Sequence, residues 1–155
     1  VLFRSCFHDH GLDPSNIEVK SPKLAVYGRY SSDNSEYENG YALTTEALEA
    51  NTPSTAFVGN NDMTAFGIMA AIADYGYHIP SDYSVCGFDN VPLSAMPQIS
   101  LTTIEHASIY KGREAVDIIY KKNAQKDKTS KHYIMRMEYE PELIIRKSTG
   151  KCKLS

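Results

Sequence analysis

Short apolar segments alternate with longer amphipathic segments through most of this chain. Short runs rich in β-branched and aromatic side chains predict strands. These runs occupy residues 55–59, 83–88, 101–104, 133–139 and 143–146, and residues 17–27 also read as extended. Segments whose apolar positions recur every three or four residues predict helices. They are residues 1–10, a segment containing Tyr37, Tyr41, Thr44 and Leu48, residues 63–75, and residues 108 to about 123.

Capping residues mark where the helices begin and end. Asn61 or Asp62 can cap the helix predicted at 63–75, and Gly76 can end it in a left-handed conformation. Strands that alternate with helices in this way favour parallel strand–helix–strand units with right-handed connections. We therefore predict an α/β fold in which helices flank a parallel sheet.

Polar residues follow the predicted strands at the ends where a ligand site is expected. Open parallel sheets bind ligands at the carboxyl ends of their strands, because the loops converge there. Asn60, Asn61 and Asp62 follow the strand predicted at 55–59. Asp89 and Asn90 follow the strand at 83–88, and Glu105 and His106 follow the strand at 101–104. Carboxylates and amides can together bind several hydroxyls, which suits a sugar or another small polar solute.

Each of these candidates also has a purely structural interpretation. Asp62 is a good helix cap, and Asp89 with Asn90 can simply form a turn. His106 can be a surface residue at the start of a helix. From spacing alone, the structural and the ligand-binding interpretations both stay open.

The helix predicted at 63–75 is apolar around nearly its whole circumference. One face is expected to pack on the sheet. The rest is covered either by another part of this chain or by a second subunit, and its small alanines permit close approach of a helix. We favour the second subunit.

Composition narrows the classes of function. The chain has 155 residues, 42% of them hydrophobic, which suits one compact domain. Its net charge of -3 lacks the basic excess needed to neutralise DNA phosphates. The longest apolar stretch, 66–73, is far shorter than the roughly 18 residues that a membrane span needs. We expect neither direct DNA binding by this chain nor a membrane span.

Motifs for catalysis and metal binding are absent from the sequence. It contains no GxSxG, HExxH, P-loop or GxGxxG pattern. Cys6, Cys86 and Cys152 are widely spaced and odd in number, which favours reduced thiols and a cytoplasmic location. An enzyme with a doubly wound sheet would need a nucleophile, metal or cofactor motif. We predict a non-enzyme with no catalytic residue, no metal site and no cofactor.

Two segments resemble the LacI/GalR family of transcriptional regulators. The block TAFVGNNDMTAFGIMAAIADYGYHIPSDYSVCGFDNVPLSAMPQISLTTIEH at 55–106 is similar to the family core, and PELIIRKST at 141–149 is similar to its closing strand. Family members join a helix-turn-helix headpiece to a two-lobed effector domain of the type I periplasmic-binding-protein fold. The resemblance implies that residues 1–106 form the C-terminal lobe. Residues 107–155 would supply a crossover helix and strand of the N-terminal lobe, and then the closing strand.

The same resemblance assigns roles to individual residues. The effector is expected to contact Asn61, Asp62, Phe88, Asp89, His106 and Tyr30. A second subunit is expected to contact Met63, Phe66, Ala70 and Leu93. The implied function is to sense a small effector, a sugar or related polar metabolite, within a cytoplasmic homodimer. Operator DNA would be bound only through a headpiece that this chain lacks. Effector binding would shift the DNA affinity of that headpiece by linkage.

A secreted sugar-binding protein of an uptake system is the alternative, because it shares the fold and the cleft. The regulator is favoured by PSDYSVCGFDNVP and LTTI, which match the repressor pattern, and by the apolar helix at 63–75. Binding proteins for transport usually work as monomers, whereas that helix indicates a partner.

Overall fold

The computed structural model describes residues 11, 13–21, 35–106, 108–124 and 136–151. Residues 1–31 and residues 32–155 form separate units. In the first unit, Pro14–Asn16 forms a 3-10 turn, and residues 17–21 have no regular structure. The extended segment predicted at 17–27 is therefore not a strand where it is described, and the helix predicted at 1–10 lies outside the described residues.

The described part of the second unit contains helices and strands in the predicted alternation. The helices are α1 (Ser35–Glu49), α2 (Asp62–Asp74) and α3 (Ser108–Ala124). The strands are β1 (Ala56–Val58), β2 (Ser84–Cys86), β3 (Thr103–Glu105) and β4 (Glu142–Ile144). α2 and α3 agree closely with their predicted bounds, and α1 contains the four residues that predicted it. The strands are shorter than their apolar runs. None of the helices in the described ranges is long and apolar enough to cross a bilayer.

The strands confirm the α/β class. β1 and β2 are parallel and are joined through α2. A parallel bridge between Cys86 and Thr102 continues the sheet toward β3, as does a hydrogen bond of 2.9 Å from the Gly87 N–H to the Thr102 carbonyl. β4 runs antiparallel to β3, with Ile104 opposite Leu143. The carboxyl ends of β1, β2 and β3 therefore lie at one edge, with the returning chain beside β3.

The predicted strand at 133–139 is not found where the structure describes it. Residues 136–140 form no ladder, and Arg136, Met137 and Glu138 are exposed. An apolar run becomes a strand only when a neighbouring strand satisfies its backbone groups, and periodicity does not reveal that neighbour. Residues 133–135 lie outside the described part of the chain.

α2 forms the centre of the core. Asn61 caps it, because its side-chain oxygen accepts a hydrogen bond from the Thr64 N–H at 2.9 Å. Gly76 follows the helix with φ +79, a conformation that favours glycine. The buried core comprises Ala65, Phe66, Ile68 and Ile72 of α2 with Val85 and Leu101. Fully burying a side chain such as Ile72 or Leu101 stabilises the fold by roughly 1.5–3 kcal/mol.

α1 packs along α2 at very short range. A Cβ atom on Gly67 would overlap the Tyr37 carbonyl oxygen, and one on Gly40 would overlap the Thr64 carbonyl oxygen. Glycine at both contacts lets the two backbones approach closely. A side-chain hydrogen bond also joins the two helices, since the Tyr41 hydroxyl of α1 donates to the Asp74 carboxylate of α2 at 2.9 Å. Part of this same chain therefore covers a second face of α2.

Phe66, one of the residues predicted to contact a second subunit, packs within this chain. Phe66 is only 9% exposed and lies in the chain's own core, so little of its ring is left for a partner. Met63 and Ala70 are half-buried, and Leu93, in the 3-10 turn Pro92–Ala95, is 42% exposed. The apolarity of α2 indicated a partner helix, but α1 supplies one within the chain.

Asp62, the first residue of α2, joins three segments of the fold. Its fully buried carboxylate accepts hydrogen bonds from the Val91 N–H at 2.9 Å and from the hydroxyls of Ser94 and Thr103. Its backbone N–H donates to the Phe88 carbonyl at 2.8 Å. Burying a carboxylate costs several kcal/mol unless hydrogen bonds replace its water, and three donors do so here. Asp62 therefore fixes the chain after β2 and the start of β3 against α2.

The helix contact predicts opposite effects for two glycine-to-alanine substitutions. Gly67→Ala should lower the free energy of unfolding by about 2 kcal/mol or more, because its Cβ would overlap the backbone of α1. Gly112→Ala is the control: Gly112 lies within α3 with nothing within 4 Å of its added Cβ. It should raise stability by about 0.5–1 kcal/mol through helix propensity. Urea titrations measure both, and equal shifts would contradict the close packing.

The Asp62 network predicts that its carboxylate stabilises the fold far more than a surface carboxylate does. Asp62→Ala leaves Val91, Ser94 and Thr103 without their acceptor, so unfolding should become easier by about 3 kcal/mol or more. Asp74→Ala removes an exposed carboxylate from the other end of α2 and should cost far less. Chemical denaturation compares the two variants. An Asp62→Ala midpoint equal to that of Asp74→Ala would exclude an anchoring role.

Candidate functional site

Three predicted effector residues come together at the carboxyl ends of β2 and β3. Phe88 and Asp89 follow β2, and His106 follows β3. The rings of Phe88 and His106 stack with centroids 5.1 Å apart and planes inclined by 16°. His106 Nε2 lies 3.0 Å from Asp89 Oδ1. We call these three residues the edge cluster.

The edge cluster is partly accessible to solvent. The Asp89 side chain is 38% exposed and the His106 side chain is 26% exposed. One Asp89 oxygen contacts His106, and a carboxylate can accept several hydrogen bonds. The cluster can therefore offer a ligand an anionic acceptor beside two stacked rings.

Lys111, near the start of α3, contacts the second ring nitrogen of His106. Its Nζ lies 3.2 Å from His106 Nδ1, while Nε2 faces Asp89. Lys111 also lies 6.0 Å from the centre of the Tyr139 ring. The edge cluster is thus contacted by α3, the helix that follows β3.

Asn61 and Asp62 have other contacts in this structure. The Asn61 side chain caps α2, and Asn60 Oδ1 accepts a hydrogen bond of 2.6 Å from the Thr64 hydroxyl. Asp62 is fully buried, and both of its oxygens accept from the protein. Asp62 is therefore not the helix cap that its sequence position allowed. Its contacts suit a residue that supports the edge cluster through the Phe88 carbonyl.

The predicted effector residue Tyr30 lies outside the described residues. So do Cys6 and Cys152. Cys86 is half-buried and free, and burial raises the pKa of its thiol. A raised pKa keeps the thiol protonated near neutral pH, which disfavours a nucleophilic role.

Sequence reasoning missed two residues that contact the edge cluster or its turn. Lys111 contacts His106, as described above. Arg146 donates to Asn90 Oδ1 at 2.6 Å, although 56 residues separate the two in sequence. The one sequence signal for Arg146 was a cation directly after the apolar run LII, next to a second cation at Lys147.

A separate cavity of about 280 Å³ opens at the opposite end of the strands. Its lining includes Thr55, Ser84 and Lys151, and it contains none of the predicted effector residues. Among the described residues, no group of three or more His, Cys, Asp or Glu side chains is placed to hold a metal ion.

Comparison with known proteins agrees with this architecture. Residues 2–149 match the periplasmic binding protein-like domain. The HTH-type transcriptional repressor PurR of Mannheimia succiniciproducens is 35% identical over 140 residues, which cover 90% of this chain and 39% of that protein. The chain thus spans about two fifths of the length of this relative.

Solved structures of LacI-family proteins have the same fold. A regulator from Enterococcus faecalis with bound ribose is 31% identical with a TM-score of 0.66, and the match covers 76% of this chain and 42% of that one. The lac repressor bound to ONPG in the repressed state is 26% identical with a TM-score of 0.62, covering 73% and 33%. The chain therefore belongs to the periplasmic binding protein-like domain family, in the branch formed by the effector domains of LacI/GalR regulators.

Proposed function

We propose that this chain senses a small polar effector as part of a LacI/GalR-type transcriptional regulator, and that the effector binds at the edge cluster. The observation that carries the proposal is the convergence of Phe88, Asp89 and His106 at the carboxyl ends of two strands. β2 and β3 bring these side chains together at one edge of the sheet. Partly polar sites at this edge of a parallel sheet are typical of small-molecule recognition.

The effector class that fits the cluster best is a sugar. Asp89 can accept hydrogen bonds from ligand hydroxyls, and the rings of Phe88 and His106 offer a flat apolar surface beside it. The Enterococcus faecalis relative was solved with ribose, which makes ribose the first probe. A nucleobase is the second class, because the same stacked rings can extend their stack onto a planar base.

We propose that residues 1–106 belong to one lobe of the effector domain. Residues 107–155 would contribute a helix to the second lobe and a closing strand to the first. Large apolar side chains on α3 support this division, because Tyr110, Val116, Ile119 and Tyr120 are all exposed. Apolar surface of this kind is normally covered by protein. The covering element we infer is the remainder of the second lobe.

We further propose that the regulator is a cytoplasmic homodimer that binds operator DNA through a headpiece outside this chain. The exposed side chain of Leu93 and the neighbouring Met96 form an apolar surface suited to pairing. Met63 and Ala70, both half-buried, remain candidates for contact with a second subunit, whereas buried Phe66 exposes little surface for it. Regulation then needs no catalysis. The effector favours one lobe arrangement, and the headpiece binds DNA with a different affinity in that arrangement; such coupling free energies are typically about 1–3 kcal/mol.

A ribose titration tests the site directly. Two-dimensional amide NMR spectra of the isotope-labelled chain should show saturable shifts at Asp89 and His106 as ribose is added at millimolar concentrations. Asp89→Ala should weaken binding about tenfold or more, because the ligand loses its anionic acceptor. Asp117→Ala, at an exposed carboxylate of α3, is the matched control and should bind as the unmodified chain does.

Adenine and hypoxanthine belong in the same titration. Shifts at the edge cluster with a base, and none with ribose, would assign the second effector class to this site. Shifts centred on the cavity near Thr55 and Lys151, or binding indifferent to Asp89→Ala, would contradict the proposed site.

Sedimentation equilibrium tests the pairing surface. Leu93→Asp places a charge in the proposed apolar contact and should weaken self-association about tenfold or more. Val116→Asp introduces the same charge on exposed α3 and should leave the dimer intact. Equal weakening by both variants, or none by Leu93→Asp, would contradict the assignment.

A further inference from the structure

Arg146, which follows β4, reaches across to the turn that bears Asp89. Its guanidinium donates to the Leu101 carbonyl at 2.7 Å and to Asn90 Oδ1 at 2.6 Å. We propose that Arg146 is a positioning residue that holds the Asp89–Asn90 turn in its ligand-binding conformation and couples this turn to the closing segment of the chain. The positioning role rests on the proposed effector site, whereas the constraint on the turn can be tested without a ligand.

The turn needs such a constraint because its backbone is strained. Asp89 has φ +112 and Asn90 has φ +52, both in the region that favours glycine. Residues with side chains pay a free-energy cost there, and the conformation persists only where the surroundings hold it. The Asp89 N–H donates to the Ile104 carbonyl at 2.9 Å, which fixes one side of the turn. The Asn90 N–H donates to the Thr103 hydroxyl at 3.3 Å, and the side chain of Asn90 is a further attachment point.

Arg146 determines the orientation of the Asn90 side chain. Because the guanidinium can only donate, it requires the amide oxygen of Asn90 to face it. The amide nitrogen then faces Glu105, and its Nδ2 lies 3.2 Å from Glu105 Oε2. The planar guanidinium donates to Leu101 and Asn90 at the same time. The ammonium of lysine lacks this planar array of donors and is poorly shaped to do so.

The backbone of Arg146 is also fixed, so the contact links two segments. Its N–H donates to the Thr102 hydroxyl at 2.9 Å. Two residues later, buried Ser148 donates to the Val85 carbonyl at 2.6 Å and accepts from the Thr102 N–H at 2.7 Å. The closing segment is thus seated against β2 and β3. A displacement of this segment would act on Asn90 through Arg146, and a ligand at Asp89 would act in return.

Amide exchange in the ligand-free chain tests the constraint. Arg146→Ala and Arg146→Lys should both speed hydrogen exchange at the Asp89, Asn90 and Val91 amides about tenfold or more, relative to the unmodified chain. Exchange in the centre of α2 should stay unchanged. A general loss of stability would speed exchange there as well, so this comparison separates the two effects. Lys147→Ala, at the exposed neighbouring side chain, is the control and should match the unmodified chain.

Ribose affinity tests the link to the site. Arg146→Ala and Asn90→Ala should each weaken ribose binding about tenfold. The double variant should bind no more weakly than either single variant, because each substitution breaks the same Arg146–Asn90 contact. Asn90→Ala keeps Arg146 and so remains informative if Arg146→Ala does not fold. Unchanged exchange in Arg146→Lys, or additive losses in the double variant, would overturn the proposal. If the unmodified chain binds no ribose or base, the proposed function fails, and amide exchange alone decides whether Arg146 constrains the turn.

Discussion

The buried carboxylate of Asp62 joins the start of α2 to the chain after β2 and to the start of β3. Asp62 is the first residue of α2, and its carboxylate accepts hydrogen bonds from Val91, Ser94 and Thr103. Because a buried carboxylate is stable only when its acceptors are used, these segments cannot move apart without a large cost. The strained turn at Asp89 directly follows Phe88, whose carbonyl accepts a hydrogen bond from the Asp62 N–H.

Placement of the site follows from this constraint. α2 is held from one side by the sheet and from another by α1, whose close approach depends on glycine at Gly40 and Gly67. The carboxyl ends of the strands are thereby fixed relative to one another. Residues distant in sequence, Asp89 and His106, then lie within 3.0 Å across that edge. Lys111 and Arg146 connect the same edge to the later part of the chain.

Local sequence predicted the elements well where local chemistry determines them. The three helices, the cap at Asn61 and the glycine end at Gly76 agree, because capping and periodicity are short-range properties. Prediction failed where long-range packing decides. The apolar circumference of α2 did not reveal that α1 covers it, and a carboxylate at a helix start did not reveal that Asp62 is buried. The contact of Arg146 with Asn90 spans too much sequence for any local pattern to show it.

We propose that a small polar effector binds at Phe88, Asp89 and His106. A crystal structure of the chain grown with ribose is the decisive test of this site. We expect ordered ribose with a hydroxyl within hydrogen-bond distance of an Asp89 carboxylate oxygen and its ring beside Phe88 or His106. Ribose ordered instead in the cavity lined by Thr55, Ser84 and Lys151, with the edge cluster left open to solvent, would contradict it.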